Sequence, residues 1–457
     1  MLRRIGLTAA GVTLALAASA CTADPEPAAT PTATPTPKPS QTTRMTFGAY
    51  GSPAELRAYG KVVDAFNSAS QTRHVELVTW PDHDAAMEDV LAGNAPDVFM
   101  ASQGDLGHLV DSEKVRPIGF QLDERGVDFG DRFSRDALDA FALDNELQCM
   151  AYSISPMVIY YNTDIVDFDA MAETGEYRVP PEARERWTMP TFTDAVEYAS
   201  SQRGVKGIWI DPTIEGLTPF IVSGGGTVFD NDDEPTSLAF SSDESRDALE
   251  ETLQVLRDPL LTPTKRQLAR RTPLELFKNG RLAMIAGYRD LVPELRKTEG
   301  LNFDVISMPY LGSAATVGDI HGLCASSDTA DINVAADFIA YAVSDAAIET
   351  VTTTGYIVPA NTHVANDDVF LASQEQPLHS RVFISSIRGM VVPPFLQNRT
   401  ELDAAVDPLI ARLVTGAGVL DLEAATDEID EMSRTVLSPE PTETPEPTEG
   451  PSESPSS

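Results

Sequence analysis

The sequence predicts an α/β protein of two lobes, each a mostly parallel sheet flanked by helices, with the chain crossing between the lobes several times. Three observations carry that expectation. Strand-like and helix-like stretches alternate from Arg44 to Leu437. The 457 residues allow two or three globular units at about 150 residues each. After a second alternating run the chain returns through more strands before its closing helices. That order fits interleaved lobes better than two sequential domains.

The N-terminus comes first. Arg3 and Arg4 form a basic start, and Ile5 to Ala18 is an apolar run broken only by Gly6, Thr8, Gly11 and Thr13. Such a run is short of the roughly 20 residues that span a bilayer and fits a signal-peptide core. Small residues lead into Cys21 (Ala18-Ser19-Ala20), as in a bacterial lipobox, although Ala18 stands where that motif usually has leucine. Residues 1–20 therefore read as a lipoprotein signal peptide and Cys21 as the lipidated residue. The alternative is an ordinary secretory peptide cleaved near Ala20. Residues 21–43 are built largely from Ala, Thr and Pro, and residues 438–457 from Pro, Glu, Ser and Thr with one Gly. Neither composition buries enough apolar area to offset its ordering entropy, so both read as disordered, the first as a tether.

Between the tails, Met45 to Tyr50 reads as a strand. Leu56, Tyr59, Val62, Val63 and Phe66 recur on one face of a helix over Pro53 to Ser68. A strand at His74–Thr79, a helix over Asp84–Ala92 and an apolar strand over Ala95–Ala101 complete a βαβαβ run. A strand over Cys149–Tyr160 precedes the second run. That run has helices near Thr193–Gln202, Pro219, Ser245–Arg257 and Pro273–Asn279, and strands at Lys206–Ile210 and Leu282–Ala286. Strands at Phe303–Met308 and His321–Ser326 follow, then helical stretches at Asn333–Val343 and Glu401–Thr435.

Charge and motifs narrow the function. With 70 acidic against 33 basic residues the net charge is -37, which repels phosphate backbones and argues against nucleic acid as a partner. The P-loop, dinucleotide-binding, nucleophile-elbow and zincin motifs are absent, and the six histidines include no i, i+4 pair. No cofactor, metal site or enzymatic activity is expected. Ligands of open α/β sheets bind beyond the carboxyl ends of strands. Those ends carry Tyr50, Trp80, Ser102, Gln103 and Trp209. Aromatic faces stack on the C–H faces of sugar rings while polar groups bind the hydroxyls. Trp80 lies next to the polar run Pro81-Asp82-His83-Asp84 and is the candidate stacking platform. For each aromatic the alternative is half-buried packing.

A resemblance covers the whole body. MTFGAYGSPAELRAYGKVVDAFN, VELVTW and LAGNAPDVFMASQGDLGHLVDSEKVRPI, then SPMVIYYNTDI, SGGGTVFD, ELFKNGRLAMIAGYRDLVPEL, DINVAADFIAYAVS and TTGYIVPAN, resemble in order the segments of the extracellular solute-binding proteins of ABC importers, the maltose-binding-like family 1. The resemblance implies a type II periplasmic-binding-protein-like fold with a multi-crossing hinge. It implies a carbohydrate ligand trapped between the lobes, delivery to the importer's transmembrane permease, and a monomer held extracytoplasmically to the cell membrane only through its N-terminal lipid. Lobe one would comprise 44–153 and 320–385, and lobe two 155–318 and 390–436, with a third crossing near Gly389–Pro393. Positions matching the family's cleft are Tyr50, Trp80, Asp84, Ser102, Gln103, Asp105, Trp209, Gly225, Tyr288 and His321. Tyr288 stands where many members have a larger tryptophan.

Other readings stay open. The same fold could bind a non-sugar solute, ferric iron through Tyr160-Tyr161 among them, or the chain could be a secreted glycan hydrolase or adhesin. In the resembled fold the strands carrying Cys149 and Cys324 run together beside the hinge. A disulfide is expected there, against the alternative of two buried free thiols.

Overall fold

The computed structural model describes residues 42–439, apart from 144, 232, 233 and 395. The expected signal peptide, the expected lipidation site at Cys21 and nearly all of both tails lie outside the described residues. Thr43, expected to end the tether, instead opens the first strand and pairs with Arg73. Among the described residues no helix is long and apolar enough to cross a membrane.

Thirteen strands are described: β1 (Thr43–Ala49), β2 (Arg73–Thr79), β3 (Val98–Ser102), β4 (Val115–Arg116), β5 (Ala142–Leu143), β6 (Glu146–Leu147), β7 (Cys149–Pro156), β8 (Val158–Asn162), β9 (Lys206–Trp209), β10 (Leu282–Gly287), β11 (Phe303–Ile306), β12 (Thr316–Ser326) and β13 (Met390–Val391). Lobe one is built on the order β13-β12-β3-β1-β2, with β4 and β7 also paired to β12. Lobe two is built on β11-β8-β10-β9. The two-lobe α/β expectation holds, but both sheets are mixed. β1 pairs parallel with β2 and β3, as the βαβαβ run requires, whereas β12 runs antiparallel to β3, β4 and β7. In lobe two β8 is antiparallel to both its neighbours.

Local signals explain why these residues form these elements. Helix α1 (Pro53–Ala69) starts on a capping box: the Ser52 hydroxyl accepts from the Glu55 amide, and the Glu55 carboxylate accepts from the Ser52 amide at 2.8 Å. Pro53 sits in the first turn, and Ala58, Tyr59, Val62, Val63 and Phe66 form its buried stripe. Helix α2 (His83–Asp89) is capped by Asp82 and passes into a π-helical turn, Val90–Asn94. The single strand expected over Cys149–Tyr160 is two strands, β7 in lobe one and β8 in lobe two, parted at Met157. The single helical stretch over Glu401–Thr435 is two helices, Arg399–Thr415 and Leu422–Leu437.

Three crossing segments meet at the hinge. The Met157 amide donates to the Val317 carbonyl at 2.8 Å, and the Thr316 hydroxyl donates to the Met157 carbonyl at 2.7 Å. β13 pairs with the same Thr316 and Val317, which puts the third crossing at Met390–Val391. Beside the hinge, Cys149 and Cys324 face each other in the β7–β12 register and are joined as a disulfide, Cα to Cα 4.3 Å.

One boundary differs from the expected division. Residues assigned to the end of lobe one pack on lobe two. Gln376 accepts from the Phe303 amide, His379 binds Asp304, and the Phe383 ring packs tilted against Tyr160 with centroids 6.3 Å apart. The cause is the apolar face of the second sheet beside the hinge, which this segment covers. Phe303, Val305 and Tyr160 therefore share one core with Val382 and Phe383 and, through them, with lobe one. The opposite face of that sheet forms a separate core with the closing helices.

Candidate ligand-binding cleft

A cavity of about 670 Å³ lies against the hinge, with walls from both lobes. Its size suits a small-molecule site. Seven of the ten sequence-predicted ligand residues line it: Tyr50, Asp84, Ser102, Gln103, Asp105, Tyr288 and His321.

The lobe-one wall is a connected polar network at strand ends. Ser102 ends β3 and is directly opposite His321 on β12. The β7–β12 register shifts between His321 and Gly322, an irregularity of the kind that re-aims side chains. The Ser102 hydroxyl donates to Asp319 at 2.6 Å, and Asp319 also meets His321 Nε2 at 3.3 Å. The Ser102 amide donates to Asp105 Oδ2 at 2.8 Å, and the same carboxylate oxygen meets His83 Nε2 at 2.8 Å. The hydrogen bond to Asp105 raises the His83 pKa to about 9, so the ring is cationic at neutral pH. The Tyr50 ring stands edge-on between His83 and His321, with centroids at 5.6 and 5.9 Å. Its hydroxyl has no hydrogen-bond partner, and burial pushes its pKa up.

The lobe-two wall comes from helix termini and a turn. Glu215 is in the first turn of the helix Ile214–Ser223, capped by Thr213. Arg399 opens the helix Arg399–Thr415 and reaches both Glu215 at 3.2 Å and Asp403 at 2.8 Å. Tyr288 and Asp290 follow β10, while Arg289 between them turns inward and is 2% exposed. Arg289 donates to the carbonyl of Gly355 and the hydroxyl of Ser380 and lies over the rings of Phe370 and Phe383. That anchor fixes the turn presenting its two neighbours to the cavity. Burial lowers the Arg289 pKa to about 10.

Three expected ligand residues lie elsewhere. Trp80 is 6% exposed and lines neither this cavity nor the neighbouring one of about 370 Å³. Its ring lies on β1 at Gly48, where a Cβ would come within 2.3 Å of the indole, and its Nε1 donates to Asp89 at 2.8 Å. The polar neighbours of Trp80 belong to the start of α2, and the tryptophan itself folds back onto the strand. The legible signal was Gly48, since a glycine inside a strand marks a close approach. Trp209 is likewise buried, with its Nε1 bound to Asp211. Gly225 turns the chain after the helix Ile214–Ser223 at φ +95°, and its neighbour Gly226, not Gly225, borders a second, smaller cavity of about 370 Å³. Tyr160 and Tyr161 are buried, and the Tyr160 hydroxyl is taken by the Tyr288 carbonyl at 2.6 Å, which leaves no open phenolate pair for iron.

Sequence reasoning missed Glu55, Glu215, Asp290, Asp319, Arg399 and Asp403. The capping signals at Ser52 and Thr213 were legible and place Glu55 and Glu215 at helix starts, beside the strand ends. Nothing local to Arg399 announces a partner 184 residues away.

A family profile described as bacterial extracellular solute-binding protein matches residues 61–377, more than half of the chain. No curated protein matches. Among solved structures, the sugar-binding protein MalE from Xanthomonas citri is 16% identical, with a TM-score of 0.72 over 86% of this chain and 97% of that one. An ABC substrate-binding protein of Listeria monocytogenes, solved with cycloalternan, is 20% identical, with a TM-score of 0.70 over 86% and 99%. The cyclic alpha-maltosyl-1,6-maltose binding protein of Arthrobacter globiformis is 16% identical, with a TM-score of 0.69 over 87% and 99%. At these identities the likeness is one of fold, and it covers nearly the full length of each neighbour. The profile match carries the family: the chain belongs to the bacterial extracellular solute-binding proteins.

Proposed function

We propose that this protein captures a carbohydrate between its lobes and hands it to the permease of an ABC importer, tethered to the outer face of the cell membrane by a lipid on Cys21. The observation that carries this reading is a single cavity with walls from both lobes, set against a three-segment hinge. Polar side chains at strand ends line it, and they offer the donors and acceptors that sugar hydroxyls need. Tyr50, Asp84, Ser102, Gln103, Asp105, Tyr288 and His321 contact the ligand in this reading, with Glu215, Asp319 and Arg399 added. Support also comes from the neighbours, whose described ligands include maltose and cyclic oligosaccharides. Tyr288 and Tyr50 are the stacking surfaces, since Trp80 and Trp209 pack inside the lobes.

A glycan panel screened by thermal shift tests the reading. A ligand at 100 times its dissociation constant stabilises the folded state by about 2.7 kcal/mol. A saccharide that raises the melting temperature to that extent supports the proposal, and a panel of mono- and oligosaccharides with no such member contradicts it. The anchor is checked separately by mass spectrometry of the mature N-terminus, where an unmodified Cys21 would count against it.

A further inference from the structure

We propose that the solute is a glycoside whose sugar occupies the cleft and whose apolar aglycone, an alkyl or aryl group, fills the cavity of about 370 Å³ beside it. This rests on the carbohydrate reading above and adds the second half of the ligand. The two cavities share a rim. Gln103, Glu215, Val392, Pro393, Pro394 and Arg399 border both. The smaller one also draws on lobe one through Gln103, on lobe two through the helix Ile214–Ser223, and on the third crossing through Val391. One ligand reaching through both therefore still meets the two lobes and the hinge.

The chemistry changes across that rim. The larger cavity is lined by carboxylates, imidazoles and hydroxyls. Beyond the rim the smaller one is walled mainly by Ile214, Val222, Val228, Phe229 and Val391, and no described residue there is charged. The polar groups of that wall are largely spent inside the protein. The Thr218 hydroxyl donates to the Ile214 carbonyl at 2.8 Å, and the Thr227 carbonyl accepts from the Ser245 hydroxyl at 3.1 Å. The Gly225 amide holds the Val222 carbonyl, the Gly226 amide holds the Ile221 carbonyl, and the Ala239 amide holds the Val228 carbonyl. A second sugar ring placed there would give up water from its hydroxyls and find few partners, whereas a hydrocarbon group gains by leaving water. The charged residues at the rim, Glu215 and Arg399, are paired with each other at 3.2 Å. Gln103 stands at the change of chemistry. It borders both cavities, and its side-chain carbonyl oxygen is buried with no hydrogen-bond partner. That acceptor suits a hydroxyl of the sugar unit bearing the aglycone.

Calorimetry tests this with glucose, galactose and maltose, each free and as its octyl β-glycoside below the micellar concentration, and with 1,2-octanediol as the chain without a sugar. At least one octyl glycoside is expected to bind about tenfold or more tightly than its free sugar. Val222→Phe and Thr227→Phe each put a ring into the smaller cavity. Either variant that keeps the parent melting temperature is expected to erase that advantage and leave the affinity for the free sugar unchanged. Octyl glycosides that bind no more tightly than their sugars, that keep their advantage in a folded variant, or that do not bind at all would overturn the proposal. The carbohydrate reading stands or falls separately, on the saccharide panel above. Binding of 1,2-octanediol as tight as that of the glycosides would also overturn the proposal, since the sugar would then add nothing.

Discussion

The two walls of the cleft are made differently. On lobe one, His83, Asp105, Ser102, Asp319 and His321 hold one another through hydrogen bonds at the ends of paired strands, so their geometry exists before any ligand arrives. On lobe two, Glu215, Tyr288 and Asp290 come from a helix start and a turn, and longer contacts join them: the Tyr288 hydroxyl donates to Glu215 at 3.4 Å, and Arg399 bridges Glu215 and Asp403. A ligand meeting lobe one finds fixed partners whose reorganisation cost is already met by the fold. Lobe two supplies charged groups held by partly exposed ion pairs, which contribute little to stability. Substitutions on the first wall should therefore be felt in stability and those on the second in affinity.

The largest effect tests the scaffold under the first wall. Trp80→Ala removes a buried indole from over Gly48 and should cost about 3 to 5 kcal/mol in urea denaturation. Saccharide affinity of the folded variant should stay close to that of the parent. A stable variant with lost affinity would return Trp80 to the binding surface. Next comes the bond between Cys149 and Cys324, which ties two strands of lobe one and closes a loop of 175 residues that contains the strands of lobe two. Replacing both cysteines by alanine should cost about 2 to 5 kcal/mol. Non-reducing peptide mapping checks the bond directly, because two thiols that alkylate in the denatured, unreduced protein would exclude it.

A matched pair then sharpens the contrast between the walls. Asp319→Asn weakens the charge-assisted bond from the Ser102 hydroxyl and should lower stability by about 1 to 2 kcal/mol. Arg399→Ala breaks two partly exposed ion pairs, worth at most about 1 kcal/mol of stability, while removing a donor from the cleft and weakening binding more than folding. Equal effects of the two variants on stability would erase the distinction. The smallest effect is the titration of His83. Its pKa is raised from 6.5 to about 9, so its contribution to stability is fully present below pH 6.5 and fades as pH rises through about 9. Ring-proton NMR should give a midpoint near 9, and a midpoint near 6.5 would mean that Asp105 does not hold the ring.

The same contrast explains what was legible in the sequence. The lobe-one wall follows a βαβαβ run whose periods are local, so Tyr50, Ser102 and Gln103 could be placed at strand ends from spacing, while Asp84 and Asp105 were indicated only by the family resemblance. The lobe-two wall depends on contacts between segments far apart in the chain, Glu215 with Arg399 above all, and no local pattern encodes them. Trp80 misled because its polar neighbours in the sequence are the cap and first turn of α2, whereas its ring is governed by a glycine 32 residues earlier. The segment near 376–383 misled for a related reason. Its apolar residues are drawn to whichever sheet face lies uncovered, and beside the hinge that face belongs to the other lobe.

Small-angle scattering, with and without a saccharide that binds in the panel, tests the central claim that one ligand joins two lobes about a hinge. The account predicts a smaller radius of gyration at saturation, since a ligand held by both walls favours the closed arrangement. An identical radius with the site saturated would contradict it, because the ligand would then be engaging one wall alone.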